Sequence, residues 1–467
     1  MNVIISIMNN PFEQNHDQTI LKFESMLKTN TSLFFDSNEF EEIICYYLDS
    51  GNISLAKKAN SLSLEQHPDS IFLILIKIEI LLLENKVLKA EKLLNKLYSK
   101  DPTNSEIILQ KSKIFSKQNK HLESIELLKK IDENSDSYYD AISLIAKEYI
   151  FLEDFENAKN NFLKCLEINK SDTSILNKII FCYDSINAKN DTIDFLKEFI
   201  ESNPYCEIAW HHLGNQYVKI SDYEKALSSF EFAIISDESF EGAYIEMGKV
   251  LEKLKKFNEA IEKYEISLGI SGPDSYTYYR LGKCHDKIGN YDLAFKYYKQ
   301  TLDCDPLHSS SLIRVARYYF RKKNFKQSKV YVLKALEIDP GKIKYIMLNI
   351  KIIVLLRQFK EFEKAFTTAL RCDELSFKSL VFLIKKFIEH KNELNFKSDF
   401  LSSVIKISGQ FSNEIHYPLA SLYFCNDKDV EGIVSLRKAY NSIPHRYNFY
   451  KKVFSNLPKL NFFKTLL

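Results

Sequence analysis

Glycine and proline are scarce, at 11 and 10 of 467 residues, each well below the usual shares of roughly 7% and 5%. Sandwiches and barrels need many turn glycines, so a chain this poor in breakers reads as helices joined by short turns. The fold class expected is all-α. No two of the eight cysteines (Cys45, Cys165, Cys182, Cys206, Cys284, Cys304, Cys372 and Cys425) form a Cys-x-x-Cys pair, which excludes zinc-ligand spacing. Scattered thiols of this kind read as small hydrophobes in a reducing compartment. Charge of one sign is not in excess either. The 64 basic and 62 acidic residues leave a net charge of +2, no global footprint for nucleic acid or an anionic membrane.

Long apolar runs are missing. The most apolar stretch, Ile71–Leu83, is thirteen residues long with Lys77 and Glu79 inside it, too short and too charged to span a bilayer. Residues 1–12 lack the basic start and long apolar core of a secretory signal. A cytoplasmic chain without a membrane span is expected. Gly-x-Gly-x-x-Gly, Gly-x4-Gly-Lys and His-Glu-x-x-His do not occur. His211 and His212 are neighbours and point about 100° apart on a helix, so they do not share one metal, and His285 stands in a packing position. Carboxylates lie beside lysines on helix faces, a pattern of surface pairs. No catalytic residue, metal, cofactor or small-molecule substrate is expected.

What the sequence has is a period. Trp210-x-x-Leu213-Gly214-x-x-Tyr217, with Ala226-x-x-x-Phe230 after it, returns one step later as Tyr244, Met247, Gly248, Leu251, Ala260 and Tyr264. It returns again as Tyr278, Leu281, Gly282, His285, Ala294 and Tyr298, and then as Leu312, Val315, Ala316, Tyr319 and Ser328. Backwards, the columns hold Tyr183 and Leu196, Ala146 and Ala158, Phe115 and Ser124, Leu81 and Ala90, Tyr47 and Ala56. Nine units over residues 37–342 keep one phase.

The pattern resembles the tetratricopeptide repeat signature W-x2-L-G-x2-Y…A-x3-F and has its 34-residue period, over about 410 residues. The resemblance implies a right-handed α-solenoid of about twelve helix-turn-helix repeats with helical caps. Residues 1–36 form the N-terminal cap and 37–342 the nine in-phase repeats. The register then slips, with Ala365 displaced by three, and 343–412 make two irregular repeats. Residues 413–446 form the last repeat and 447–467 a capping helix. Each repeat pairs a helix A with a helix B. Gly51 and Gly289 fall at the turn between them, where a left-handed backbone costs glycine least. Gly214, Gly248, Gly282 and Ala316 on helix A, and the alanine column on helix B, allow close approach. Pro68, Pro102, Pro204, Pro306 and Pro340 end helix B.

The family holds peptides or partner proteins in a groove lined by helix-A positions 2, 5, 6, 9, 12 and 13, which share one face. In the C-terminal half those positions carry Asn215, Lys249, Arg280, Lys283, Arg314, Arg317 and Arg321. All eight arginines of the chain lie between Arg280 and Arg446. These rows read either as a cradle for an acidic or phosphorylated segment, since guanidinium forks match carboxylate and phosphate, or as a solvated face with local ion pairs. Lysine at position 13 is ordinary for the family. The carboxylate clamp of some relatives is matched only by Asn215 and Arg280; His211, Glu246 and Tyr276 fill its other places, and Glu246 would repel a carboxylate. In the N-terminal half Phe72, Leu75, Ile76, Leu83 and Phe151 put apolar side chains at groove positions. They read as a partner site, or as a surface covered by the chain's own N-terminus.

The expected function is therefore a non-enzymatic scaffold or adaptor for protein or peptide partners. Helical-repeat RNA binding is the second class, disfavoured by the strict period and the low net charge. Self-association through the apolar tail 457–467 is the third. The stretch after Arg446, 447–467, is too short to be the catalytic domain that larger members of the family append.

Overall fold

The structure, a computed structural model, describes residues 11–29, 33–370, 372, 376–390 and 415–454. Among them are 25 α-helices and no strand. None of these helices is long and apolar enough to cross a membrane. The chain divides into two compact units, Met1–Lys225 and Ala226–Leu467.

In the first unit α1 (Pro11–Thr29) precedes five antiparallel pairs. These are α2 (Ser37–Asp49) with α3 (Ile53–Gln66), α4 (Ile71–Leu83) with α5 (Val87–Lys100), α6 (Ser105–Lys117) with α7 (His121–Leu128), α8 (Tyr138–Phe151) with α9 (Phe155–Ile168), and α10 (Thr173–Ile186) with α11 (Lys189–Ser202). Helix α12 (Glu207–Lys219) follows, and α13 (Tyr223–Ser236) carries the unit boundary. The second unit holds α14 (Glu241–Lys253) with α15 (Phe257–Ser271), α16 (Ser275–Ile288) with α17 (Tyr291–Cys304), α18 (Ser309–Arg321) with α19 (Phe325–Ile338), and α20 (Ile343–Leu355) with α21 (Phe359–Leu370). It ends with α22 (Phe377–Glu389), α23 (His416–Cys425) with α24 (Asp429–Ser442), and α25 (Tyr447–Val453).

The turns between paired helices show the period in the backbone itself. A left-handed residue stands at Gly51, Asn85, Asn119, Glu153, Asn187, Ser221, Lys255, Gly289, Lys323 and Arg357, once per repeat and always at the same place in it. At most of these turns the next amide reaches back five residues, as from Lys86 to the Leu81 carbonyl at 2.8 Å and from Lys120 to Phe115 at 2.9 Å. That bond closes the end of helix A. Glycine fills only two of the ten sites, so the turn is imposed by packing of the two helices rather than by local preference.

Packing between paired helices rests on matched volumes where helix A crosses helix B. A Cβ added to Gly248 would lie 2.5 Å from the Tyr264 ring, and one added to Gly282 would lie 2.6 Å from Tyr298. Both tyrosine rings are buried. Other repeats fill the same two columns with other buried pairs, such as Ala316 with Val332 and Ile78 with Leu94.

The expected slip after Lys342 needs correction. Helix α20 starts at Ile343, one period after Ser309, and Arg357 keeps the left-handed turn in step. The side chains are what depart. Phe362 is fully buried where other repeats carry alanine, serine or threonine, while Ala365 is only partly buried. The residues 391–414 of the irregular segment and the tail 457–467 lie outside the described residues.

The first and last described helices pack on their neighbours. Phe23 and Met26 of α1 are buried with Phe35, Phe40, Ile43 and Tyr47. The link before α2 is held by Gln66, whose Nε2 donates to the Leu33 carbonyl at 2.9 Å and whose Oε1 accepts from the Phe35 amide at 3.1 Å. In α25, Tyr450 stacks on Tyr417 with ring centroids 4.7 Å apart.

Two outcomes are expected from this packing. Gly248→Ala should destabilise the chain by about 1–3 kcal/mol through overpacking, and Tyr264→Val added to it should cost less than the two single changes summed, read by urea unfolding. Lys323→Gly should raise stability by about 1 kcal/mol, because a left-handed lysine is strained and glycine is not, read as an upward shift of the thermal midpoint.

Candidate functional site

Helix-A position 12 decides the electrostatics of the second unit. Glu252 on α14 and Asp286 on α16 hold that position, and each is followed by an arginine, Arg280 or Arg314, at position 6 of the next A helix. Glu252 Oε1 is 2.8 Å from Arg280 Nε, and its Oε2 is 3.3 Å from Lys283 Nζ. The Tyr264 hydroxyl donates to Glu252 at 2.9 Å and accepts from Arg280 at 3.1 Å. Burial, foremost, pushes that hydroxyl's pKa above the ordinary range. Gly248 matters here too, since its missing Cβ lets the Tyr264 ring pass between the helices to reach this network.

One repeat on, Asp286 Oδ2 is 2.8 Å from Arg314 Nη1 and its Oδ1 is 2.9 Å from Arg321 Nη1. Arg321 also lies over the Tyr291 ring, 4.0 Å from its centroid. Lys249 pairs with Glu246 at 2.6 Å. The rows expected to be basic are therefore largely paired from within: Lys249, Arg280, Lys283, Arg314 and Arg321 each sit on a carboxylate, five cations on three acids. Arg317 differs. It is half-buried one turn from Arg314 and Arg321, and makes no ion pair or hydrogen bond among the described residues. Burial, then the charge of Arg314, push its guanidinium below the ordinary arginine pKa. Nearby, the buried hydroxyl of Tyr298 also lacks a hydrogen-bond partner among the described residues.

Sequence reasoning missed Glu252 and Asp286. The signal was present: an acid at position 12 and an arginine at position 6 of the next A helix, twice in succession. Recognising it needs the distance between those two positions, which only the stacked helices provide.

In the first unit Asn215 Nδ2 lies 3.4 Å from His211 Nε2 and so is turned along its own helix. The apolar set divides. Leu75 and Ile76 are 5% and 7% exposed and do not line a groove, which corrects the expectation for them. Leu75 packs with Ile78, Leu82 and Leu94, and Ile76 with Phe40 and Leu73, because α4 is apolar on both sides and lies between neighbours. Phe72 is partly buried against the second of these clusters. Leu83 and Phe151 are 55% and 64% exposed, and both line one pocket of about 300 Å³.

His212 is half-buried with its Nε2 2.6 Å from Asn177 Oδ1. Burial, then neighbouring His211, hold its pKa down at about 4, against the pull of Asp184; Lys219 lowers it further. A histidine kept neutral in the fold but protonated near pH 6.5 when unfolded contributes stability above pH 6.5 that is lost as pH falls toward 4. His212→Gln, which keeps a donor for Asn177, should reduce the loss of stability between pH 7 and pH 4.5, measured by urea unfolding at each pH. Among the described residues no group of three or more His, Cys, Asp or Glu could hold a metal ion.

Antiparallel helix pairs stepping at one fixed period define a helical-repeat protein. A tetratricopeptide repeat family model matches residues 139–172, 275–306 and 309–342. The chain therefore carries tetratricopeptide repeats. No curated protein matches its sequence. Similar solved structures include YrrB, described as a TPR protein with an unusual peptide-binding site, at 21% identity over 42% of this chain and 97% of that one, with a TM-score of 0.34. PilF of Pseudomonas aeruginosa is similar at 14% identity over 48% and 94%, with a TM-score of 0.36. The C-terminal part of a TPR repeat-containing protein from Cytophaga hutchinsonii is similar at 16% identity over 58% and 98%, with a TM-score of 0.36.

Proposed function

We propose that this protein is a non-enzymatic, cytoplasmic scaffold whose second unit holds an acidic or phosphorylated segment of a partner polypeptide at Arg317. One observation carries the reading: along α18, Asp286 pairs with Arg314 and Arg321 and leaves half-buried Arg317 between them without an ion pair among the described residues. Leaving a guanidinium partly desolvated without a counter-charge is costly. An incoming carboxylate or phosphoryl group removes that cost and can accept a two-pronged bond from the fork. Arg314 and Arg321, fixed by Asp286, would frame it. Cys165, Cys182 and Cys284 are buried thiols, which fits a reducing compartment.

Affinity capture from the source lysate, with and without phosphatase or ribonuclease treatment, tests the proposal. Acidic proteins retained by the wild type should be lost, by roughly tenfold or more for one charge-assisted contact, with Arg317→Glu and kept with the control Lys326→Glu. Sensitivity to phosphatase would assign a phosphoryl ligand. Identical captures with both variants would remove Arg317 from the site, and loss on ribonuclease treatment alone would favour RNA.

A further inference from the structure

We infer that the first unit carries a separate docking pocket, which takes a bulky apolar side chain of a partner polypeptide lying next to an acidic residue. The inference rests on the protein-binding reading and specifies partner chemistry for a different set of helices.

Three successive A helices build the pocket. Leu83 from α4, with Leu144 and Phe151 from α8, form its apolar wall, and α6 supplies Lys113 and Lys117. Leu83, Lys117 and Phe151 occupy the same helix position in consecutive repeats, so an amine stands between two exposed apolar side chains. Large side chains more than half exposed and gathered at one pocket mark a contact surface rather than scattered surface hydrophobes.

Phe151 is exposed, yet its position is fixed. Its ring stacks on His121, with centroids 5.2 Å apart and planes 20° from parallel. His121 is held in turn by its Nδ1, 2.6 Å from Oε2 of Glu148, whose side chain is only 4% exposed. A contact residue immobilised before binding loses little rotamer freedom on binding, which favours affinity. Nothing in the core needs this arrangement, because Phe151 covers little of it.

Charge identifies the neighbour. Lys113 is 3.4 Å from Glu79, and Glu148 is engaged by His121. The Lys117 ammonium donates to the Leu82 carbonyl at 3.0 Å and has no carboxylate partner among the described residues. Exposed Lys147, also on the pocket lining, has no ion pair or hydrogen bond among the described residues. Two amines without a counter-charge thus border the apolar wall. A volume of about 300 Å³, at the small end of ligand pockets, holds one or two side chains and too little of a long acyl chain. A polypeptide segment pairing an apolar residue with Asp or Glu fits both features.

Panning a display library of 12-residue peptides on the full chain tests this. Recovered peptides should carry Leu, Ile, Phe or Trp within two or three residues of Asp or Glu. A synthetic peptide of that class should bind at least tenfold more weakly to Phe151→Ser and to Lys117→Glu/Lys147→Glu. Binding to His121→Ala should weaken by a smaller factor, and Arg317→Glu should leave it unchanged. Enrichment of a different class, or equal binding to the Phe151 and lysine variants, would overturn the inference. Loss of binding in Arg317→Glu alone would also overturn it while supporting the acidic site of the second unit. Competition by decanoate as strong as by the peptide would replace the polypeptide with an acyl anion.

Discussion

The close approach of helix A to helix B, made possible by a small residue facing a large ring on the partner helix, is the constraint from which the rest follows. Gly248 against Tyr264 and Gly282 against Tyr298 leave no room for a methyl group. Helices that close must turn sharply between them, and a left-handed residue closes the turn whether it is glycine, asparagine, serine or lysine. Local preference would not choose Lys255 or Arg357 for that conformation. Tertiary packing chooses it, repeat after repeat, and distributes the strain along the chain as many small increments of the kind expected for stacked units.

The same approach decides what the groove face looks like in the second unit. A tyrosine passing under a glycine brings its hydroxyl up to Glu252 and Arg280, so a core residue ends as part of a surface network. In the following repeat the equivalent hydroxyl of Tyr298 has no such partner among the described residues, and Asp286 is taken by Arg314 and Arg321. Two repeats of nearly the same sequence pattern therefore present different surfaces. The first is a closed ion-pair network; the second leaves Arg317 without one.

The first unit solves its surface differently. Apolar side chains on α4 are mostly drawn inward, where a helix that is apolar all round must lie between neighbours. Those that remain outside, Leu83 and Phe151, stand on either side of Lys117 in the helix-A order. The exposed ring is steadied by a buried Glu148–His121 pair, a polar group used to position a hydrophobic one.

By itself the sequence determined the period, the pairing of helices and the phase of the repeats. These rest on local rules: small residues where helices cross, prolines where they stop, and a 34-residue step that any stacked repeat must keep. It also pointed to the helix face on which both proposed sites are drawn. Only the tertiary structure decided which residues on that face are free. Leu75 and Ile76 share groove positions with Leu83 in register yet are buried, because exposure depends on what the adjacent helix covers. Five of the cationic residues are held in ion pairs, because Glu246, Glu252 and Asp286 reach them within a helix or across one repeat. The repeat that carries Phe362 stays in step in its backbone, although its side chains hide the register. In each case the deciding quantity is a distance between residues far apart in sequence, which periodicity alone does not supply.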